Sequence, residues 1–260
     1  MFGINDWGGR LFDDRGDITL ECISRFANLD KKDLFYWYKA YYSKLSEMVS
    51  YLRHIGYDLF LLHGRLINSV RDLGHNIHFD DMFSAFGVID EGEWNIESFR
   101  CHKLWDSVNE FINNDSILDM YWTRGVEIPA GGQNTQLIYT GSMSGGTMLW
   151  NLMVKDFPGF PFQRFEIQRY YSVTEEQLKI VPKLRGRVSP FLCAYGDWES
   201  TLGERYRYSL DLQWLNKRSR VYLYESPFWT IDKDYIETFL FQKYGEGWRI
   251  PVDVLGNVCK

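Results

Sequence analysis

The chain has 260 residues, of which 45% are apolar and 17% aromatic, enough for a substantial core and incompatible with global disorder. Its 29 basic and 35 acidic residues leave a formal charge of −6, which excludes a general attraction for nucleic acid and suits a partner protein with a basic surface. No window approaches the roughly 18 uncharged apolar residues of a membrane span, and residues 1–10 lack the basic and apolar parts of a secretory signal, so a cytoplasmic protein is expected.

Residues 1–29 contain one strand-like stretch, 18–23, where Ile18, Leu20 and Cys22 alternate with polar neighbours. A long helix over 31–55 follows. Leu34, Tyr38, Tyr41, Leu45, Met48, Leu52 and Ile55 fall at steps of four and three, one stripe of a helix. Asp30 is placed to cap its first turn and Gly56 to end it.

Leu59, Leu62, Leu66, Val70 and Leu73 continue at helical spacing, which predicts a second helix over 57–73 and a helical hairpin joined at Gly56. Gly64 opposes that helix by about 1 kcal/mol, and a strand over 57–63 is the alternative. Residues 75–94 read as loop, with room for a turn of helix at 82–86. A third helix begins near Asn95 and carries Ile96, Phe99, Leu104, Val108, Phe111 and Ile112 on one face. Asn113, Asn114 and Asp115 end it, because their side chains compete for backbone hydrogen bonds.

Strands are expected over 136–140, 148–154 and 162–171, and a capping-box helix begins at Thr174. The clearest alternation is Tyr206, Tyr208, Leu210, Leu212 and Trp214, which with Val221–Tyr224 predicts an antiparallel hairpin turning at 216–219. A final helix over 233–244 lies between Asp232 and Gly245, and residues 250–255 suit an edge strand. Helices first and strands later predict an α+β fold: the N-terminal helices packed on a mostly antiparallel C-terminal sheet. A single domain over 1–260 is the preferred division; a helical part, 1–120, and a β-rich part, 121–260, form the alternative.

The densest set of metal-ligand types is His75, His78, Asp80 and Asp81, two imidazoles and two carboxylates in seven residues, although their spacing fits no strong motif. The glycine-rich residues 141–147 lack the Gly-Lys-Ser/Thr of a phosphate loop. Ser142, Ser144 and Cys193 are nucleophiles by type, without a nucleophile-elbow frame. Glu166, Asp211 and Glu225 have no lysine two residues on, as a metal-dependent nuclease would need. Cys22, Cys101, Cys193 and Cys259 are too dispersed for a CxxC site. Lys183, Arg185 and Arg187, with Lys217, Arg218 and Arg220, form the one basic concentration and read as charged turns.

Three classes of function follow. The first is a soluble protein-binding module, an inhibitor or immunity-type protein acting by surface recognition, with Tyr206, Tyr208, Trp214, Tyr222 and Tyr224 as its contact residues. It ranks first because no catalytic motif keeps its spacing. The second is a metal-dependent enzyme built on residues 75–81. The third is a structural or assembly component of a phage or secretion system. No organic cofactor is expected, and a divalent metal only at His75, His78, Asp80 and Asp81.

Overall fold

The computed structural model describes residues 30–74, 83–89, 103–120, 147–155, 163–173, 191–194 and 209–250. The elements are α1 (Lys31–His54), β1 (Phe60–Leu62), α2 (His63–Arg71), β2 (Phe83–Ile89), α3 (Lys103–Asn114) and β3 (Leu118–Met120). They continue with β4 (Thr147–Val154), β5 (Gln163–Val173), β6 (Phe191–Ala194), β7 (Ser209–Asp211), β8 (Ser219–Leu223), β9 (Ser226–Thr230) and α4 (Lys233–Tyr244). Short 3-10 turns occupy Leu212–Leu215 and Glu246–Arg249.

The ends of α1 are set by chemistry visible in the sequence. The Asp30 carboxylate accepts the N–H groups of Lys32 and Asp33, at 2.8 and 3.4 Å. At the other end Tyr57 N–H donates to the Leu52 carbonyl and Gly56 N–H to that of Arg53, with Gly56 at φ +104°. This pair of bonds is a Schellman closure, which needs a residue in the left-handed region. Leu34, Tyr38, Tyr41, Leu45, Met48 and Leu52 are buried as the periodicity predicts, joined by Trp37, Tyr42 and Val49; Ile55 is exposed.

The expected helical hairpin does not form. Residues 60–62 are a strand, and α2 starts only at His63. Phe60 and Leu62 enter one hydrophobic cluster and Leu61 the other, so β1 is buried on both faces. A strand buried on both sides gives an unbroken apolar run that periodicity cannot separate from helix. The loop expected over 75–94 is corrected likewise: β2 occupies 83–89 and runs through the sheet interior.

Among the described residues the main sheet has seven strands, ordered β1-β2-β5-β4-β3. Tyr170 pairs with both Ile89 of β2 and Ala194 of β6. β6 therefore takes the edge of β5 that β4 leaves free, and β7 pairs outside it. Only β2 with β5 is parallel; the remaining pairs are antiparallel. The fold is α+β, with strands from both halves of the chain in one sheet.

Phe86, Val88, Trp150, Leu152, Val154, Phe165 and Ile167 share a cluster with α1 and α3. There Trp105 stacks on Trp150 with ring centroids 4.4 Å apart. Phe60, Leu62, Leu66, Tyr170 and the α4 residues Ile236, Phe239 and Leu240 form the second cluster. Gly87 on β2 stands opposite Phe60 on β1. A Cβ there would overlap the Phe60 ring and come within 3.1 Å of Leu62 Cδ1.

The hairpin expected over 206–225 is displaced. Only residues 209–211 of its first arm are strand among those described, and they pair with β6. At Leu212 the chain turns into a 3-10 helix that buries both Trp214 and Leu215. The actual hairpin is β8–β9, with Leu223 opposite Ser226 and a two-residue turn at Tyr224 and Glu225. Both turn residues have positive φ, 47° and 69°, where glycine or asparagine is usual. The surroundings hold them: Tyr224 N–H donates to the Gly74 carbonyl at 2.9 Å, and Glu225 pairs with Lys39 at 2.5 Å. A Cβ on Gly74 would overlap the Tyr222 carbonyl oxygen, so this approach requires glycine.

Asp115, just beyond α3, accepts the N–H groups of Ile117 and Leu118, each at 2.7 Å, and lies 3.4 Å from Lys44 Nζ. Burial pushes its carboxyl up, but the N–H groups of Leu118 and Ile117, and then Lys44, outweigh burial and hold it below its ordinary value. Its stabilisation is complete above the unfolded pKa of about 4 and is lost as pH falls through the lower folded value. Urea midpoints should therefore fall less between pH 5 and pH 2 in Asp115→Asn than in the unmodified chain; equal slopes would contradict the assignment. Gly87→Ala should cost about 1–3 kcal/mol of unfolding free energy by overpacking Phe60, read from the same urea curves.

Candidate functional site

Nine residues make up α2, and the six from His63 to Asn68 are all buried. It packs against β1, β2 and β8. A helix covered on most sides is usually apolar, yet this one carries His63, Arg65 and Asn68 inward. No side chain caps its first turn, which follows β1 without a linker. His63 has φ 61°, a positive value uncommon outside glycine, although histidine adopts it more readily than most residues.

The second component comes from β5. Phe165 and Ile167 point into the cluster beneath α1, so the alternation of a strand turns Glu166, Gln168 and Tyr170 to the opposite face. Gly87 lies beside Gln168 in the parallel register, and Ala85 beside Glu166.

These side chains form one hydrogen-bonded row. Gln168 Nε2 donates to Glu166 Oε1 at 2.7 Å. Gln168 Oε1 lies 2.7 Å from His63 Nε2 and accepts the Tyr170 hydroxyl proton at 3.2 Å. Glu166 and Gln168 are both buried, each with 9% of its surface exposed. A carboxylate and an imidazole can each hold a proton, and the amide between them orients both without carrying one itself.

A second polar feature lies on the α1 side of α2. The Arg65 guanidinium is 5.6 Å from the Tyr38 ring centroid and 5.5 Å from that of Tyr42. Tyr224 from the β8–β9 turn stacks on both rings, at 4.9 and 5.5 Å. Burial raises the Tyr38 hydroxyl above its ordinary value, against the opposing charge and hydrogen bond of Arg65. Burial also drives Tyr224 far up, with Tyr38 nearby adding to the shift.

Of the three expected contact residues that are described, two are buried. Trp214 is buried and stacked on Tyr235, with ring centroids 5.7 Å apart, and Tyr224 is buried against α1. Tyr222 is 51% exposed. Tyr206 and Tyr208 lie outside the described residues, as do His75, His78, Asp80, Asp81, Ser142, Ser144, Lys183, Arg185 and Arg187. Of the basic concentration, Arg218 is bound to Asp58 at 3.0 Å and Arg220 lies over the Trp229 ring at 4.8 Å. Among the described residues no three His, Cys, Asp or Glu side chains gather as a metal site requires, and no helix is long and apolar enough to cross a membrane. Compared with known proteins, the chain matches no family profile and no curated protein.

Sequence reasoning missed His63 and Gln168. The available signal was the polar alternation Glu166, Gln168, Tyr170 on a strand whose other face is apolar. Such alternation reads as a solvated face; in the fold Gln168 bonds His63 of α2 and Tyr170 joins the cluster that contains α2 and α4 residues.

A tyrosine whose folded pKa is raised contributes stability that is full below the unfolded value and is lost as pH rises from about 10 through the folded value. Tyr224→Phe should therefore lose less stability between pH 9 and pH 11 than the unmodified chain, measured by chemical unfolding at each pH. An unchanged pH dependence would contradict the burial of this hydroxyl.

Proposed function

We propose that this chain is an enzyme that acts on its ligand at the row His63–Gln168–Glu166, by metal-assisted acid–base chemistry. The observation that carries the reading is the row itself. Several polar side chains are retained where two strands and a helix meet, in a layer that apolar residues would fill at lower cost. The positive φ of His63 is a second cost at the same place.

Residues 75–82 connect Gly74, just beyond α2, with Phe83, the first residue of β2. Both ends of that connection belong to elements tied to the row, since α2 carries His63 and β2 is hydrogen-bonded to β5. In this proposal His75, His78, Asp80 and Asp81 supply the metal ligands, and the row accepts or returns the proton. Untagged protein should retain or take up zinc, manganese or nickel, measured by elemental analysis. It should gain about 2.7 kcal/mol of stability at a metal concentration 100 times the dissociation constant. Asp80→Asn combined with Asp81→Asn should abolish that gain. Unmodified protein that neither holds metal nor shifts on its addition overturns the metal role.

A second reading keeps recognition of a basic protein partner, in the manner of an inhibitor or immunity-type protein. It is favoured by Leu73 and Tyr222, exposed by 80% and 51%, of which Leu73 precedes the glycine, Gly74, that packs on the Tyr222 backbone. Co-purification of a partner at low salt, weakened by Leu73→Asp with Tyr222→Ala, would support it; recovery of the bait alone would count against it.

A further inference from the structure

The basic residues Arg218 and Arg220 gain a third guanidinium in the fold. Arg53, in the last turn of α1, and Arg220, on β8, both lie over the Trp229 ring of β9, with guanidinium carbons 5.1 and 4.8 Å from its centroid. Arg220 and Trp229 stand directly opposite in the hairpin and so share one face. Arg218, with 13% of its side chain exposed, lies over the Phe60 ring at 4.6 Å. A ring holds an arginine in place without neutralising its charge. Neutralisation falls to one carboxylate: Asp58 is 3.4 Å from Arg53 Nε and 3.0 Å from Arg218 Nη2. Arg220 pairs with no acidic group among the described residues. Burial pulls Arg218 below its ordinary value, Asp58 opposes that, and the charge of Arg53 adds to the lowering. Three guanidinium charges thus meet a single carboxylate, on a chain whose formal charge is −6. Like charges gathered in this way repel, and an anion of matching charge relieves the repulsion. The same hairpin face continues into a ring. Tyr222 follows Arg220 by two residues and is opposed by Pro227; both are exposed, while Val221 and Phe228 turn towards the core.

We propose that Arg53, Arg220 and Trp229 form a binding site for the dianion of an aryl phosphate ester, whose ring lies on Tyr222 and Pro227. The exposed guanidiniums of Arg53 and Arg220 present planar forks of N–H donors suited to phosphate oxygens. Arg218 is too deep for contact and contributes its charge alone. The two charges left over by Asp58 match the charge of about −2 on a phosphomonoester at neutral pH. One two-residue step along β8, about 7 Å, separates the arginine from the tyrosine, which sets the ring of the ester beside its phosphate. The site shares no residue with the row on β5 and does not depend on the chemistry proposed there.

The test is proton–nitrogen NMR of the tryptophan indoles in the full chain, at about pH 8, where the ester is a dianion. The probes are phenyl phosphate, inorganic phosphate, and chloride at equal ionic strength. The chain has 10 tryptophans, and the Trp229 signal is assigned by its loss in Trp229→Phe. Phenyl phosphate should move that signal saturably, inorganic phosphate should do so at higher concentration, and chloride should leave it in place. Arg53→Gln combined with Arg220→Gln should raise the dissociation constant about tenfold or more. Both side chains are exposed, and the other indole signals report that the variant keeps its fold. Tyr222→Ala should bring phenyl phosphate down to the affinity of inorganic phosphate. No saturable shift with millimolar phenyl phosphate, a shift that chloride reproduces, or an affinity unchanged in the double variant overturns the site. Phenyl phosphate that binds no more tightly than inorganic phosphate overturns the place given to the ring. Saturation by a glutamate-rich peptide with none by phenyl phosphate overturns the proposal and assigns the patch to an acidic protein.

Discussion

β5 is enclosed on both faces, and that enclosure governs the rest of the molecule. On one side α1 and α3 cover Phe165 and Ile167; on the other, Tyr170 enters the cluster formed by β1, α2 and α4. Little water reaches Glu166 and Gln168 in such a strand. Glu166 and Gln168 must find protein partners, and Gln168 and His63 provide them. The same enclosure leaves no volume for a side chain at position 87, because Phe60 already fills the space beside Gln168.

What the sequence revealed depended on whether an element has a wet side. α1 was legible to its caps, because Lys32, Asp33, Ser43 and Glu47 mark a solvent face and leave the apolar stripe in contrast. α4 was legible for another reason: Asp232 accepts the Asp234 N–H and Gly245 takes φ +73° at its end, signals that do not depend on burial. β4 and β5 were read from dense apolar and aromatic runs between turn residues, close to their actual limits.

The failures have the same origin. β1 is three residues long and fully buried, and β2 has no regular polar alternation, with Gly87 making it resemble a loop. The alternation from Tyr206 to Trp214 was taken to continue, yet at Leu212 the chain turns so that Trp214 and Leu215 can both be buried. The candidate site was missed because its meaning is tertiary. His63 and Gln168 are 105 positions apart, and the alternation around Gln168 does not point to His63. Only the pairing of β1 with β2 and of β2 with β5 brings them together.

The turn at Tyr224 and Glu225 bears on the order of assembly. Neither residue favours positive φ by itself, so the isolated β8–β9 segment has little local drive to close. What holds it comes from far upstream: the rings of Tyr38 and Tyr42, the Gly74 carbonyl, and Ser46, whose hydroxyl reaches the Pro227 carbonyl across 181 positions. The helix thus acts as a template on which the hairpin is cast. During synthesis on the ribosome α1 emerges long before that hairpin, and its ring-lined groove must wait, unfilled, for the C-terminal part of the chain to arrive.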